Sequence, residues 1–189
     1  MKKTNSLLLI AVLLGGLHSA KATTVIPPTF DELVAQAEII FQGKVTDVRS
    51  QWVGEGALRH IASYVTFSVG DALKGNPGQS YTLNMFGGTV GNDTMGISDA
   101  PTFKVGDEDI LFVENNGSQL IPLVGIMHGR FQVRHDQTGR EILTDSEGAA
   151  VRNVARVGRM TAAAGSESEA KMTTADFKAA VRSKLQASQ

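Results

Sequence analysis

Two runs of alternating residues, Ile39 to Trp52 (IIFQGKVTDVRSQW) and His60 to Leu73, constrain any fold this chain can adopt. In the first, Ile39, Phe41, Val45 and Val48 stand between polar neighbours. In the second the same pattern runs through Ile61, Tyr64 or Val65, Phe67 and Val69. A period of two marks a strand with one buried face. Each run is more than twice the ~5–6 residues of an ordinary strand. A strand of that length has to bend, and Gly43 offers a place for a bulge or a barrel corner.

The remaining elements are shorter. Thr29-Phe30-Asp31-Glu32 has the spacing of a capping box, Thr followed three residues later by Glu, and predicts a short helix to about Ala37. Lys74-Gly75-Asn76-Pro77-Gly78 is a turn, and Tyr81 to Phe86 alternates as a third strand. Asp109 to Glu114 (DILFVE) reads as a fourth strand. Leu120 to Gly125 with Gly129 to His135 reads as a fifth, broken near Ile126 to His128. Asp136 to Gly139 then turns the chain into a hairpin partner at Glu141 to Thr144. Residues 149–172 are rich in Ala, Gly, Ser and charge and read as a flexible linker. A second capping box, Thr173 with Asp176, opens an amphipathic helix over 173–189, with Phe177, Ala180, Val181 and Leu185 on one face. The fold class expected is mainly β: an OB-like, five-stranded Greek-key barrel over 23–148, with a short N-terminal helix and a C-terminal helix. A β-sandwich is the alternative, with shorter and more evenly spaced strands.

The front of the chain reads as a leader. Met1-Lys2-Lys3 precedes an apolar run from Leu7 to Leu17 that is too short to span a bilayer, and Ala20-Lys21-Ala22 follows as a small-x-small cleavage site. Residues 1–22 are therefore expected to be a signal peptide, and the product periplasmic or secreted. Eighteen Lys and Arg against nineteen Asp and Glu give a formal charge of −1, and three of the lysines lie in the leader. What remains is mildly acidic, which argues against a nucleic-acid partner. No later apolar stretch reaches spanning length, so no membrane association is expected after cleavage. The chain has no cysteine, which excludes disulfides, zinc–thiolate sites and a Cys nucleophile.

Motifs that carry chemistry are missing. There is no His-Glu-x-x-His, no Gly-x-Ser-x-Gly and no phosphate loop ending in Gly-Lys-Ser/Thr. His60, His128 and His135 follow the leader, and the last two are seven residues apart on an extended segment, which tends to place them on opposite faces. Asp136 or Asp107 could add a ligand, but no metal site and no cofactor is expected. Asp107-Glu108-Asp109 reads as a solvated turn. The 18 residues of the glycine-bearing loop from Gly87 to Lys104 exceed the usual loop length, and such loops are often functional.

The segments Ala37 to Val45, Tyr64 to Leu73 with Lys74-Gly75, and Val105-Gly106 before Ile110-Leu111-Phe112 resemble the netrin-like OB-fold of the tissue inhibitors of metalloproteinases. They are also similar to small exported bacterial proteins of unassigned role. The similarity runs from about Thr23 to Val133. In those inhibitors the mature chain begins Cys-Thr/Ser-Cys, with Pro-Pro soon after, and its terminal amine and first carbonyl chelate the zinc of the protease. Carried onto this chain, the resemblance implies that Thr23 takes the chelating position. Thr24 enters the specificity pocket, and Pro27 and Pro28 form the stiff continuation. Both cysteines are absent here. The function expected is that of an exported, non-enzymatic binding protein, a metalloprotease-binding or inhibitory module whose partner is a secreted zinc metalloprotease. The loop residues Gly87, Gly88, Thr94 and Met95 complete the expected binding set. The alternatives are a general interaction module acting through the 87–104 loop, and a hydrolase with a site dispersed along the chain. N-terminal sequencing of the exported protein is expected to begin at Thr23; retention of Met1 would overturn the leader assignment.

Overall fold

The structure, a computed structural model, describes residues 26–159 and 170–187. The expected signal peptide, Thr23, Thr24 and linker residues 160–169 lie outside the described residues. Thr29 opens helix α1 (Phe30–Gln36) as a capping box: its backbone N–H donates to Glu32 Oε2 at 2.8 Å, and its hydroxyl accepts from the Glu32 N–H at 3.3 Å. The helix buries Phe30, Leu33 and Val34 and delivers the chain to β1 (Ile39–Val53). β1 pairs antiparallel with β2 (His60–Lys74), and the register between them slips at Ile40/Phe41, Gln42/Gly43 and Val45/Asp47. These slips bend the long hairpin. At Gly43 any Cβ would lie 2.8 Å from the Phe41 ring and 3.0 Å from the Ser68 carbonyl, so the corner requires glycine.

The elements that follow are β3 (Ser80–Phe86), a small ribbon β4 (Gly88–Val90) and β5 (Asp93–Met95), then β6 (Glu108–Val113), β7 (Arg130–His135) and β8 (Glu141–Thr144). The main sheet runs β3-β2-β1-β6-β7-β8, antiparallel throughout. Three consecutive strands and a fourth that returns beside the first give the order β6-β1-β2-β3, which is a Greek key. The molecule is mainly β, but the expected closed five-stranded barrel is corrected: the sheet has six strands and is open. The reason lies in the expected fifth strand. Residues 121–129 fold back on β6 through turns, with Val124 N–H donating to the Phe112 carbonyl and Phe112 N–H to that of Gly129. β7 thus begins at Arg130 and pairs with β6 and β8, so β8 ends the sheet rather than returning to β3.

Both outer strands are covered. Asn84 N–H on β3 donates to Asn116 Oδ1 at 2.9 Å, and Asn116 Nδ2 donates to the Thr82 carbonyl at 2.8 Å. Phe86 N–H donates to the Leu120 carbonyl. At the other side, β8 is bridged at Ile142 by Thr173 and at Thr144 by Ala150.

Successive residues of β1 and β6 enter two different cores, one on each face of the sheet. Ile40, Ile110 and Phe112 join α1 and α2 (Thr174–Ala187) on one side, where the rings of Phe30, Phe112, Phe131 and Phe177 meet edge-on or tilted. Phe41, Leu111 and Val113 join Val65, Phe67, Leu83 and Phe103 on the other. A strand buried on both faces shows no alternation, which is why Ile110 to Val113 is apolar throughout. Ile39 and Val69 pack at the margin of the second core.

α2 begins where the capping pattern placed it. The Thr173 hydroxyl accepts from the Asp176 N–H at 3.1 Å, and Phe177 and Val181 are fully buried. Arg182 and Lys178 both pair with Asp71 on β2, and Lys184 pairs with Asp31 on α1. The expected linker over 149–172 is corrected over its described residues. Val151 is buried, Val154, Val157 and Met172 pack on the helical core, and Met172 N–H donates to the Val151 carbonyl. Scattered valines in a polar stretch were enough to dock it. Truncating Phe112 or Phe67 to Ala is expected to cost roughly 3–5 kcal/mol, a large share of a domain's stability. Denaturant melts of the two variants check both cores separately.

Candidate functional site

Pro28 sits in a slot made by two glycines. A Cβ at Gly125 would lie 2.8 Å from Pro28 Cδ, and one at Gly158 would overlap the Pro28 carbonyl. Both glycines have positive φ, +62° and +72°, so neither turn suits another residue. The slot fixes the chain just before α1. Two residues upstream, Ile26 is 83% exposed.

Beside Pro27 and Pro28 lies a cleft of about 390 Å³. Its polar lining includes His128, Asp145 and Glu147 together with Arg152, Arg156 and Arg159. Phe131, Val151 and Val157 supply its apolar lining. Burial pushes the His128 imidazole below its ordinary pKa, against the upward pull of Glu147 and Asp145. Burial pushes the Asp145 carboxyl up, opposed by the N–H groups of Ala149 and Glu147, which donate to Oδ1 at 2.9 and 3.0 Å. The loop that carries His128 includes Ile126 at φ +63°, a β-branched residue in the left-handed region. Such a conformation is strained and persists only where the surroundings impose it. Here Gly125 is held against Pro28, and Gly129 packs 2.8 Å (as an added Cβ) from the Phe112 carbonyl.

Beneath this loop Arg130 makes the principal buried ion pair. Its Nε and Nη2 donate to both oxygens of Asp109 at 2.8 and 3.1 Å, Nη2 also reaches Asp107 at 3.1 Å, and Nη1 donates to the Thr102 carbonyl at 2.6 Å. The Phe103 ring lies 4.1 Å from the guanidinium carbon. Burial raises the Asp109 pKa while Arg130 lowers it. With a guanidinium that cannot be deprotonated in bidentate contact, the carboxylate remains charged at neutral pH. The reading of Asp107-Glu108-Asp109 as a solvated turn is therefore corrected: Asp109 is fully buried. An Asp at the head of an all-apolar strand was the available signal.

The second group of expected binding residues stands elsewhere. Gly87 and Gly88, at φ +98° and +130°, fold the β4–β5 ribbon over β1 and β2, where Gly88 meets the hydroxyls of Ser50 and Ser63. Met95 Sδ accepts from the Ile61 N–H at 3.4 Å, and the exposed Thr94 hydroxyl pairs with Thr89 at 3.0 Å. The start of the expected long loop is thus a built ribbon. Pro28 packs against Gly125 and Gly158, and Pro27 and Pro28 line the cleft with residues of 145–159, whereas this ribbon contacts Ser50, Ile61 and Ser63, so the structure does not join the two groups. His128 lines the cleft; His135 is exposed, and Asp136 holds the β7–β8 turn through Thr138 and Arg140. Those bonds depress the Asp136 pKa, the Thr138 hydroxyl most. Among the described residues no three His, Asp or Glu side chains converge as a metal site.

Comparison with known proteins gives no match to a family model, a curated protein or a solved structure.

His128 generates a pH expectation. Its folded pKa lies below the unfolded value near 6.5, so the unfolded chain takes up the proton first as pH falls. The stability it contributes is present above that value and is lost below it. Melting temperature followed from about pH 8 to about pH 5 is expected to fall less in His128→Gln than in the parent chain.

Proposed function

We propose that this is an exported binding protein that acts by presenting its N-terminal segment to a protein partner rather than by catalysis. The observation that supports this reading is the Pro28 slot. A chain gripped at Pro28 between Gly125 and Gly158, with Ile26 exposed two residues before it, issues from the domain at a fixed place. Fixing a segment in advance lowers the entropy cost of binding. In the inhibitors that the sequence resembles, cysteines perform this task; here two glycines and a buried proline take it over. An OB-like relationship belongs to the same proposal. It is supported by the Greek-key order around a long bent β1 and by the partly open form such barrels take.

In its specific form the partner is a secreted zinc metalloprotease, and the product of cleavage after Ala22 begins at Thr23. The neutral α-amine of Thr23 and its carbonyl would then occupy the metal of the protease, with Thr24 directed into the adjoining pocket. The reference pKa of an α-amine is near 7.7–8.0, so much of it carries a proton at neutral pH and must release it on binding. Inhibition should accordingly strengthen as pH rises through that range. One alanine inserted before Thr23, or acetylation of the amine, is expected to abolish inhibition without changing the melting temperature. Substitutions at Thr94 or Met95 are expected to weaken it only in part. Equal inhibition by the extended or acetylated protein would refute chelation. Binding that survives both changes and is lost on altering the ribbon would favour the 87–104 loop as the contact surface.

A further inference from the structure

β1 has a free edge along its second half. Its ladder with β6 runs from Ile39 to Lys44, and the edge bonds of Val45 go to Gly106 and Asp107. From Thr46 to Val53 its sole strand partner among the described residues is β2. The outer strands β3 and β8 are each covered, as described above; over Thr46 to Val53 the β4–β5 ribbon lies against the Ser50 side chain, but among the described residues no backbone hydrogen bond reaches the outer peptide groups of this stretch. An unpaired row of N–H and C=O groups is a template for another strand.

We infer that this edge pairs with a second copy of the chain, antiparallel and two-fold about Ser50. Val48, Ser50 and Trp52 share one face of β1, opposite Val65, Ser63 and Ile61 of β2. Val48 is 37% exposed although its cross-strand neighbour Val65 is buried, because β6 does not extend far enough to cover it. Trp52 is half-buried, with the Arg59 guanidinium 4.3 Å from its ring. Val48 and Trp52 are equidistant from Ser50. A two-fold there sets each Val48 against Trp52 of the other copy, a β-branched and an aromatic residue, which is a favourable cross-strand pair. On the other face Arg49 comes opposite Gln51 and Asp47 opposite Val53, so no like charges face each other. This register uses Asp47 to Val53 and stops short of Val45, where Gly106 and Asp107 hold the edge. The stretch is its own complement in length, apolar pattern and charge, and this selects a second copy over an unrelated peptide. Interfaces that form in this way are isologous.

Trp52 is the sole tryptophan and the chain lacks cysteine, which makes the test clean. Sedimentation of the protein, purified as its host produces it, is expected to show a monomer–dimer equilibrium between about 1 μM and about 1 mM, the range of a modest interface. Tryptophan emission should move to shorter wavelength as the dimer forms. Val48→Lys, a charge placed on the edge, should raise the dissociation constant at least about tenfold and hold the emission at its dilute position, with the melt of the dilute protein unchanged. Arg49→Cys mixed with Gln51→Cys should form a disulfide heterodimer on mild oxidation, since directly opposed residues come within bonding distance. A monomer at every concentration overturns the inference. So does a dimer that Val48→Lys leaves intact and that the cysteine pair fails to cross-link.

Discussion

The guanidinium of Arg130, at the start of β7, holds three points of the chain that lie 21 to 28 residues upstream. It grips Asp109 on β6, Asp107 in the turn before it and the Thr102 carbonyl in the long loop, while lying against the Phe103 ring. Through Phe103 the long loop packs on one core, and Gly129, the residue before Arg130, ends the loop that shapes the cleft. Burying two charges is costly unless their hydrogen bonds are complete. Here four of the five guanidinium N–H groups donate to four oxygens on three residues. Removing either partner would leave an uncompensated charge in the interior, which typically costs about 3–5 kcal/mol.

Much of the fold could be read from local pattern because local pattern caused it. The hairpin of β1 and β2 shows one face to each side and therefore alternates over most of its length. The capping box at Thr29 and the hydroxyl cap at Thr173 are short-range chemistry and needed no tertiary context. Where the reading failed, long-range packing decided. β6 lost its alternation by being buried twice. The turns of 121–129 depend on close approach of Gly129 to β6, which periodicity does not record. The 149–159 segment docks through Val151, Val154 and Val157, and the Asn153 side chain accepts from the Ala155 N–H to shape its turn.

The candidate site was legible in part. Pro27-Pro28 was visible as a stiff segment, but its grip was not. Gly125 and Gly158 lie 97 and 130 residues downstream and serve by what they lack, and a missing Cβ has meaning only once the opposing surface is known. The cleft lining of His128, Asp145 and Glu147 is likewise assembled from separate turns. Residues brought together by topology leave no spacing to recognise.

Asn116 has a consequence for how the molecule behaves at high concentration. Its side-chain amide offers β3 one acceptor and one donor, in the places a neighbouring peptide group would occupy. A genuine seventh strand would satisfy β3 and at once expose a new edge, so that accretion of strand upon strand could continue. A side-chain amide has nothing further to offer. With the Leu120 carbonyl, which takes the Phe86 N–H, it acts as a chain terminator for cross-β growth at this edge.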